Sequence, residues 1–318
     1  MTSEPNMLKN RDRHNIDAIE SSFKTGLLHQ AMQEAPEIER RRGLSVEEFT
    51  REYRKSLRPV VIEGLMDSWP AVKNWNFTYL ADKCGEAKVV VDSYDSKKAR
   101  EVTFREFTEM LKVARQASRS PVYLQEWLYM AECPQLAADL PELEIAQYDF
   151  RRNLFGERIS TNHQLWIGQQ GATTRLHQDS YSIDVMHAQI VGNKHWCVLG
   201  PDAALGRNQD GELDFAALLD HPTREMRCCV LNPGEVVYLP ARWYHRIELL
   251  TDSIGQGRKC LDEVNLQTYT RLRFAELLCL ALNHDYIKEA FPELYKVVVL
   301  RNQAVAKLMD IDLRNLRP

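Results

Sequence analysis

Residues 226–249 read MRCCVLNPGEVVYLPARWYHRIEL, and this stretch decides the fold. It divides into three short runs rich in apolar and β-branched residues, separated by the turn-forming sequence NPGE at 232–235 and by a second turn around Arg242. Serial short antiparallel strands joined by tight turns are typical of a sandwich or barrel. The sequence therefore predicts a mainly β protein built on a double-stranded β-helix, or jelly roll.

Three side chains in this part of the chain carry atoms that bind metals, namely His177, Asp179 and His245. In a strand, residues i and i+2 point to the same face, so His177 and Asp179 can offer one nitrogen and one oxygen to a single ion. Two histidines and one carboxylate leave positions open on an octahedral metal, as in non-heme iron(II) oxygenases. A His-x-Asp pair also occurs in ordinary surface turns, so the flanking residues carry the assignment.

The flanking motifs resemble those of the JmjC and cupin-like 2-oxoglutarate oxygenases. Trp166-Ile167-Gly168 precedes the first histidine, Gly192-Asn193-Lys194 follows it, and residues 240–245 (PARWYH) surround the distal histidine. The resemblance covers roughly residues 45–267. It implies a cupin-like double-stranded β-helix core with additional N-terminal and C-terminal helices.

The resemblance also implies which residues contact the co-substrate 2-oxoglutarate. Lys194 matches a lysine that binds the distal carboxylate, although a lysine stem can also extend to solvent. Thr174 and Tyr123 match hydroxyl groups that assist the same carboxylate in related enzymes. Asn265 resembles an asparagine on the last barrel strand, and His187 lies where a side chain faces 2-oxoglutarate or O2 unless it is a core histidine.

An enzyme of this kind would be an Fe(II)- and 2-oxoglutarate-dependent dioxygenase that uses O2. The expected reaction is hydroxylation of a C–H bond in a protein side chain, a peptide or an amino-acid-like small molecule, with conversion of 2-oxoglutarate to succinate. Demethylation of N-methyl-lysine or N-methyl-arginine is the alternative. A non-catalytic cupin-like binding protein is less favoured because the metal ligands and the lysine are all present. No catalytic acid or base beyond the metal ligands is expected.

Three regions are predicted along the chain. Residues 1–44 form a polar lead-in segment with an amphipathic helix over 16–35. Residues 45–267 form the JmjC-type catalytic domain with its flanking helices, and we expect 251–259 to be a long loop within it. Residues 268–318 are predicted to be helical, with more apolar residues than one covered face needs, which predicts a homodimer formed through these helices.

Composition favours a protein without affinity for nucleic acid or membranes. The 318 residues carry a net charge of −4, and the short basic run Arg40-Arg41-Arg42 is interpreted as a solvated helix face. The first residues lack an apolar stretch, which predicts a cytoplasmic or nuclear protein. Seven cysteines without Cys-x-x-Cys spacing predict reduced, mostly buried thiols.

Overall fold

The computed structural model describes residues 20–92, 99–116, 120–148, 163–179, 183–201, 226–263 and 265–271. Most of these residues belong to two β-sheets. The strands are β1 (Arg40–Arg42), β2 (Val60–Glu63), β3 (Lys88–Val91), β4 (Arg100–Thr103), β5 (Tyr123–Trp127), β6 (His163–Gly168), β7 (Thr173–Gln178), β8 (Asp184–Val191), β9 (Lys194–Leu199), β10 (Met226–Leu231), β11 (Glu235–Leu239), β12 (Tyr244–Leu249) and β13 (Ser253–Cys260).

The nine-stranded sheet, here called the major sheet, has the order β1-β2-β11-β8-β13-β6-β5-β3-β4. The four-stranded minor sheet has the order β10-β9-β12-β7. The turn at 232–235 carries the chain from β10 in the minor sheet to β11 in the major sheet, with Gly234 at φ +89°. Because the chain crosses between facing sheets, the structure is the predicted double-stranded β-helix.

Helices precede and flank the sheets. The helices are α1 (Leu27–Glu34), α2 (Val46–Phe49), α3 (Pro70–Asn74), α4 (Phe77–Cys84) and α5 (Phe104–Gln116), with a π-helical turn at Thr50–Arg54. Ser45 and Glu48 form the capping box that the sequence predicts at the start of α2. The N-terminal helix predicted over 16–35 is interrupted at Gly26, whose extended backbone (φ −106°, ψ −158°) makes it the N-cap of α1.

The core has three layers. One apolar cluster fills the space between the sheets and includes Val61, Val237 and Leu249. A larger cluster packs α2 to α5 on the outer face of the major sheet. A third, around Phe23, packs the N-terminal helical segment on the outer face of the minor sheet. Both faces of β8 are therefore covered, and seven of its eight residues are buried.

Two predicted segments differ in the structure. Residues 251–259 do not form a long loop, because β13 occupies most of this segment and pairs with β6 on one side and β8 on the other. Arg40–Arg42 form β1 and not a helix face, and they pair in parallel with β2. The Arg40 and Arg42 side chains make ion pairs with Glu235 and Asp67, so this basic run is neutralised within the fold.

Other predictions concern cysteines, membrane helices and the C-terminal region. Six cysteines lie in the described part of the chain, and all six are buried and outside any disulfide, as predicted. Within the same residues, none of the helices has the length and apolar character needed to cross a membrane. The predicted dimerisation helices beyond residue 271 lie outside the described residues.

A buried ion pair joins the N-terminal helices to the end of the barrel. Arg54 donates to Asp262, and both side chains are almost completely buried. Asp262 also accepts a hydrogen bond from the backbone N–H of Asn265, at the start of the helical turn 266–271. Arg54 therefore compensates a charge that lies directly after β13.

We expect Arg54→Ala to lower the free energy of unfolding by about 3 to 5 kcal/mol, because it leaves the buried Asp262 carboxylate without its cation. Chemical denaturation would measure the change. Arg51→Ala is the matched control, since Arg51 lies on the same π-helical turn but its ion pair with Glu52 is exposed. Equal stability of the two variants would contradict the role given to Arg54.

Candidate metal centre

The three predicted metal ligands meet at one end of the minor sheet. His177 lies on β7 and His245 on β12, and the two are direct cross-strand partners. Asp179 follows the last residue of β7. One side-chain nitrogen or oxygen from each of the three residues lies within 4.8 Å of those of the other two. Residues separated by many strands in sequence are therefore neighbours in space.

The hydrogen bonds of the two histidines involve Nδ1 and leave the Nε2 atom of each ring available to bind a metal. The Nδ1 atom of His177 lies 2.7 Å from the carbonyl oxygen of Arg175, and the Nδ1 atom of His245 lies 3.4 Å from that of Trp243. A carbonyl oxygen can only accept, so Nδ1 carries the proton in each ring. In a neutral ring the Nε2 atom is then unprotonated, as metal ligation requires.

The site electrostatics also suit a cation. Burial, and to a smaller extent the neighbouring His177, lower the pKa of His245 to about 4, so the ring is neutral near pH 7. Burial alone would raise the pKa of Asp179, but Lys259, His245 and His177 outweigh it and hold the pKa below its usual range. Two neutral imidazoles and one carboxylate are the donor set typical of a non-heme iron site, so these residues fit iron(II).

A cavity opens between the sheets at this point. The metal ligands lie on one side, and the wall also includes side chains from both sheets. The residues that line the cavity are Tyr123, Gln164, Trp166, Thr174, His177, Asp179, Val185, His187, Trp196, His245, Ile247, Gly257, Arg258 and Lys259.

Lys194 lies on β9 with its side chain fully buried between the sheets. Its Nζ atom is 3.1 Å from the Nε2 atom of His187, and in the described part of the chain no carboxylate lies within ion-pair distance of it. Burial lowers the pKa of Lys194 to about 7. A buried lysine without a counter-ion is costly, and an anion of a bound ligand would supply the missing charge.

Three more predicted co-substrate residues line the same cavity. His187 lies on β8, and burial together with Lys194 holds its pKa well below the ordinary value for histidine. Thr174 lies on β7, and the aromatic ring of Tyr123 lies 5.9 Å from the Nζ atom of Lys194. The Tyr123 hydroxyl is buried and lacks a hydrogen bond of good geometry within the described residues, although Thr174 lies beside it.

Asn265 is placed differently from the sequence-based expectation. It lies five residues beyond β13 and does not line the cavity. Its side-chain oxygen accepts from the backbone N–H of Asp262, and its amide nitrogen donates to the carbonyl oxygen of Cys260. Asn265 is thus occupied by a reciprocal cap at the start of the following helical turn, which accounts for the difference.

The sequence analysis missed the contribution of β13 to the cavity. A β-carbon on Gly255 would lie 2.3 Å from the His187 Nε2 atom, and one on Gly257 would lie 2.7 Å from the Trp166 Nε1 atom. The glycines therefore provide the space that these two side chains occupy. Gly255, Gly257 and Lys259 recur with a period of two, which is the signal for a strand that the high glycine content obscured.

Known proteins share sequence similarity with this chain. A family model described as a cupin-like domain matches residues 46–206, just over half of the chain. The lysine-specific demethylase JMJ30 of Arabidopsis thaliana is 31% identical over 237 residues, which cover 69% of this chain and 53% of that protein. The 2-oxoglutarate and iron-dependent oxygenase JMJD4 of Gallus gallus is 23% identical over 263 residues, which cover 72% of this chain and 61% of that protein.

A third relative is the lysine-specific demethylase JMJ21 of Arabidopsis thaliana, which is 26% identical over 246 residues. That match covers 72% of this chain and 26% of the relative. The chain thus spans between about a quarter and about half of the length of the first three relatives it matches.

We expect Gly255→Ala to destabilise the protein by about 1 to 3 kcal/mol, because the added methyl group would overlap the His187 ring. In a His187→Ala background the same substitution should cost much less, since the overlapping ring is gone. Chemical denaturation of the wild type, both single variants and the double variant would measure this coupling. Strictly additive changes would contradict the close packing of Gly255 against His187.

Proposed function

We propose that this chain, which belongs to the JmjC and cupin-like family of iron- and 2-oxoglutarate-dependent oxygenases, hydroxylates a C–H bond of a protein or peptide substrate. One observation carries the proposal: the three metal ligands line one cavity, and a buried lysine that has no carboxylate partner in the described residues lies 3.1 Å from His187 in the wall of that cavity. The first group fits iron(II), and the second fits the distal carboxylate of 2-oxoglutarate.

The metal ligands and the buried lysine have separate roles in this proposal. His177, Asp179 and His245 would hold iron(II), and Lys194 would bind the distal carboxylate of 2-oxoglutarate. When bound, iron and 2-oxoglutarate supply the O2-dependent oxidation of a C–H bond, with release of succinate and carbon dioxide. The chain itself positions the reacting groups. Trp196, which stacks on the His245 ring with centroids 5.8 Å apart, shields that ligand from water.

Tyr123 and Thr174 support the same carboxylate site in this proposal. Both carry hydroxyl groups in the cavity wall, and the Tyr123 hydroxyl is buried without a well-formed hydrogen bond in the described residues. A carboxylate beside it would accept the missing hydrogen bond. His187 contributes as a neutral ring that accepts a hydrogen bond from the protonated Lys194 and so fixes its position.

N-Methyl demethylation is the second candidate, and the names of relatives favour it. Relatives include proteins named lysine-specific demethylases and others named arginine-specific demethylases. The same oxidation of an N-methyl C–H bond would release formaldehyde. A lysine- or arginine-containing protein segment is therefore the first substrate class to test for both candidates, since it fits both reactions.

The function can be tested by incubating the protein anaerobically with Fe(II) and 2-oxoglutarate and then adding O2 with peptide pools. We expect succinate formation to depend on peptide, with a gain of one oxygen in the peptide for hydroxylation or formaldehyde release for demethylation.

Asp179→Ala should abolish succinate formation and retain cooperative unfolding, because Asp179 lies beyond the paired part of β7. Normal turnover by this variant with normal iron content would contradict the ligand assignment. Binding of both cofactors by the wild type without turnover on any peptide would favour a binding protein.

The pKa of Lys194 gives the co-substrate site a pH dependence. Its pKa is about 7 in the free site, and a bound carboxylate favours the charged lysine. Affinity for 2-oxoglutarate should therefore be constant below about pH 7. Above that value it should fall by up to about tenfold per pH unit, because the neutral lysine must first take up a proton. Calorimetric titration of the Mn(II)-loaded protein from pH 6 to pH 9 would measure this profile.

Lys194→Ala is the control for this measurement. It should weaken 2-oxoglutarate binding by roughly 1.5 to 3 kcal/mol, or about 10- to 150-fold at low pH, because a charge-assisted hydrogen bond is lost. The affinity of this variant for 2-oxoglutarate should vary little with pH. Any pH dependence that remains comes from the binding of 2-oxoglutarate to the metal. An identical slope in the variant and the wild type would show that Lys194 does not bind the co-substrate.

A further inference from the structure

The three metal ligands are not held in the same way. His177 and His245 are each oriented by a backbone carbonyl and by the pairing of β7 with β12. That pairing ends at Gln178, so Asp179 lies just beyond the ordered ladder of backbone hydrogen bonds. A carboxylate ligand at the end of a strand needs another group to fix its rotamer.

Lys259 on β13 makes the contact that could fix Asp179. Its Nζ atom lies 3.4 Å from Oδ1 of Asp179 and 2.8 Å from Oε1 of Glu126. The other carboxylate oxygen of Asp179, Oδ2, lies 3.9 Å from the Nε2 atom of His245. Lys259 therefore engages one oxygen of Asp179, while the other faces the histidine ligands.

Glu126 is brought to Lys259 by an unusual backbone conformation. It has φ +53°, in the left-handed region that residues other than glycine rarely adopt. The pairing of β5 with β6 is irregular between Leu124 and Trp127, so Glu126 lies at a bulge. Bulges redirect side chains and are frequent beside active sites, and such a conformation persists only where the surrounding structure fixes it.

The three side chains form a charge arrangement that the reaction itself does not require. The Lys259, Glu126 and Asp179 side chains are all at least four-fifths buried. One ammonium group lies between two carboxylates, and without it their negative charges would face each other across the same buried space. Like charges in such a space repel each other, which would move Asp179 away from the metal or favour its protonation.

We propose that Lys259 is a positioning residue that holds Asp179 in the orientation for binding the metal through Oδ2, and that Glu126 anchors Lys259. This inference rests on the proposed iron site. It predicts that removal of Lys259 weakens metal binding, although a positive charge near the metal is removed. Glu126 already neutralises the charge of Lys259 at a distance of 2.8 Å, so removal of Lys259 relieves little repulsion of the metal. The loss of the Asp179 orientation therefore has the larger effect on metal binding.

The test is a titration of the full-length apoprotein with Co(II), whose visible absorption reports the coordination sphere. Lys259→Met should raise the Co(II) dissociation constant by about 10- to 100-fold and change the spectrum. Lys259→Arg keeps the charge and should recover part of the affinity. Lys112→Met is the matched control, because Lys112 is an exposed lysine that pairs with Glu109 on α5. It should bind Co(II) like the wild type.

Glu126→Gln provides a second variant with nearly unchanged size. It should raise the dissociation constant in the same direction by a smaller factor, because Lys259 keeps its charge but loses its anchor. Wild-type or tighter Co(II) binding by both Lys259→Met and Glu126→Gln would overturn the proposal. If Lys259→Met does not fold, the result for Glu126→Gln decides the matter.

Asp179→Ala separates this inference from the proposed function. Loss of Co(II) binding in Asp179→Ala together with unchanged binding in the Lys259 and Glu126 variants would leave the metal site intact and refute only the positioning role. Unchanged binding in Asp179→Ala would refute the metal site itself.

Discussion

The burial of charged groups between the two sheets is the constraint on which the site depends. Asp179 and Lys259 line one cavity, Lys194 is buried beside His187 in its wall, and a buried charge destabilises a fold unless another group compensates it. Asp179 is compensated by Lys259 within the protein, whereas the hydrogen-bond partner of Lys194 in the described residues is the neutral His187. The fold therefore supplies a counter-ion to Asp179 on the metal side of the cavity, whereas the carboxylate of a bound ligand would supply the one for Lys194.

The features that could be predicted from the sequence are those for which side-chain chemistry and strand periodicity indicate the same structure. His177, Asp179 and His245 could be assigned because their atoms suit a metal and their positions suit strands. Lys194 could be assigned because a lysine on an apolar inward face needs an anion. The jelly roll followed from short strands and tight turns, since both leave local signals in the sequence.

The rest depends on contacts between residues that are distant in sequence. Glycines in 251–259 suggest a loop, but in β13 they make room for His187 and Trp166, which come from neighbouring strands. Asn265 matches a family position, but a local cap with Asp262 uses its side chain. The bulge that directs Glu126 toward Lys259 depends on the pairing of β5 with β6. Sequence patterns of one segment do not contain such information.

The pairing of β7 with β12 also determines when the metal ligands can meet. Four strands, β8 to β11, lie between these two strands in the chain, and β12 pairs with both β7 and β9. Contacts between distant segments form slowly during folding because the closure of long chain segments costs entropy. The two histidines consequently stay apart until β7 and β12 pair. A complete ligand set exists only after the barrel has closed, so iron acquisition is confined to molecules that have finished folding.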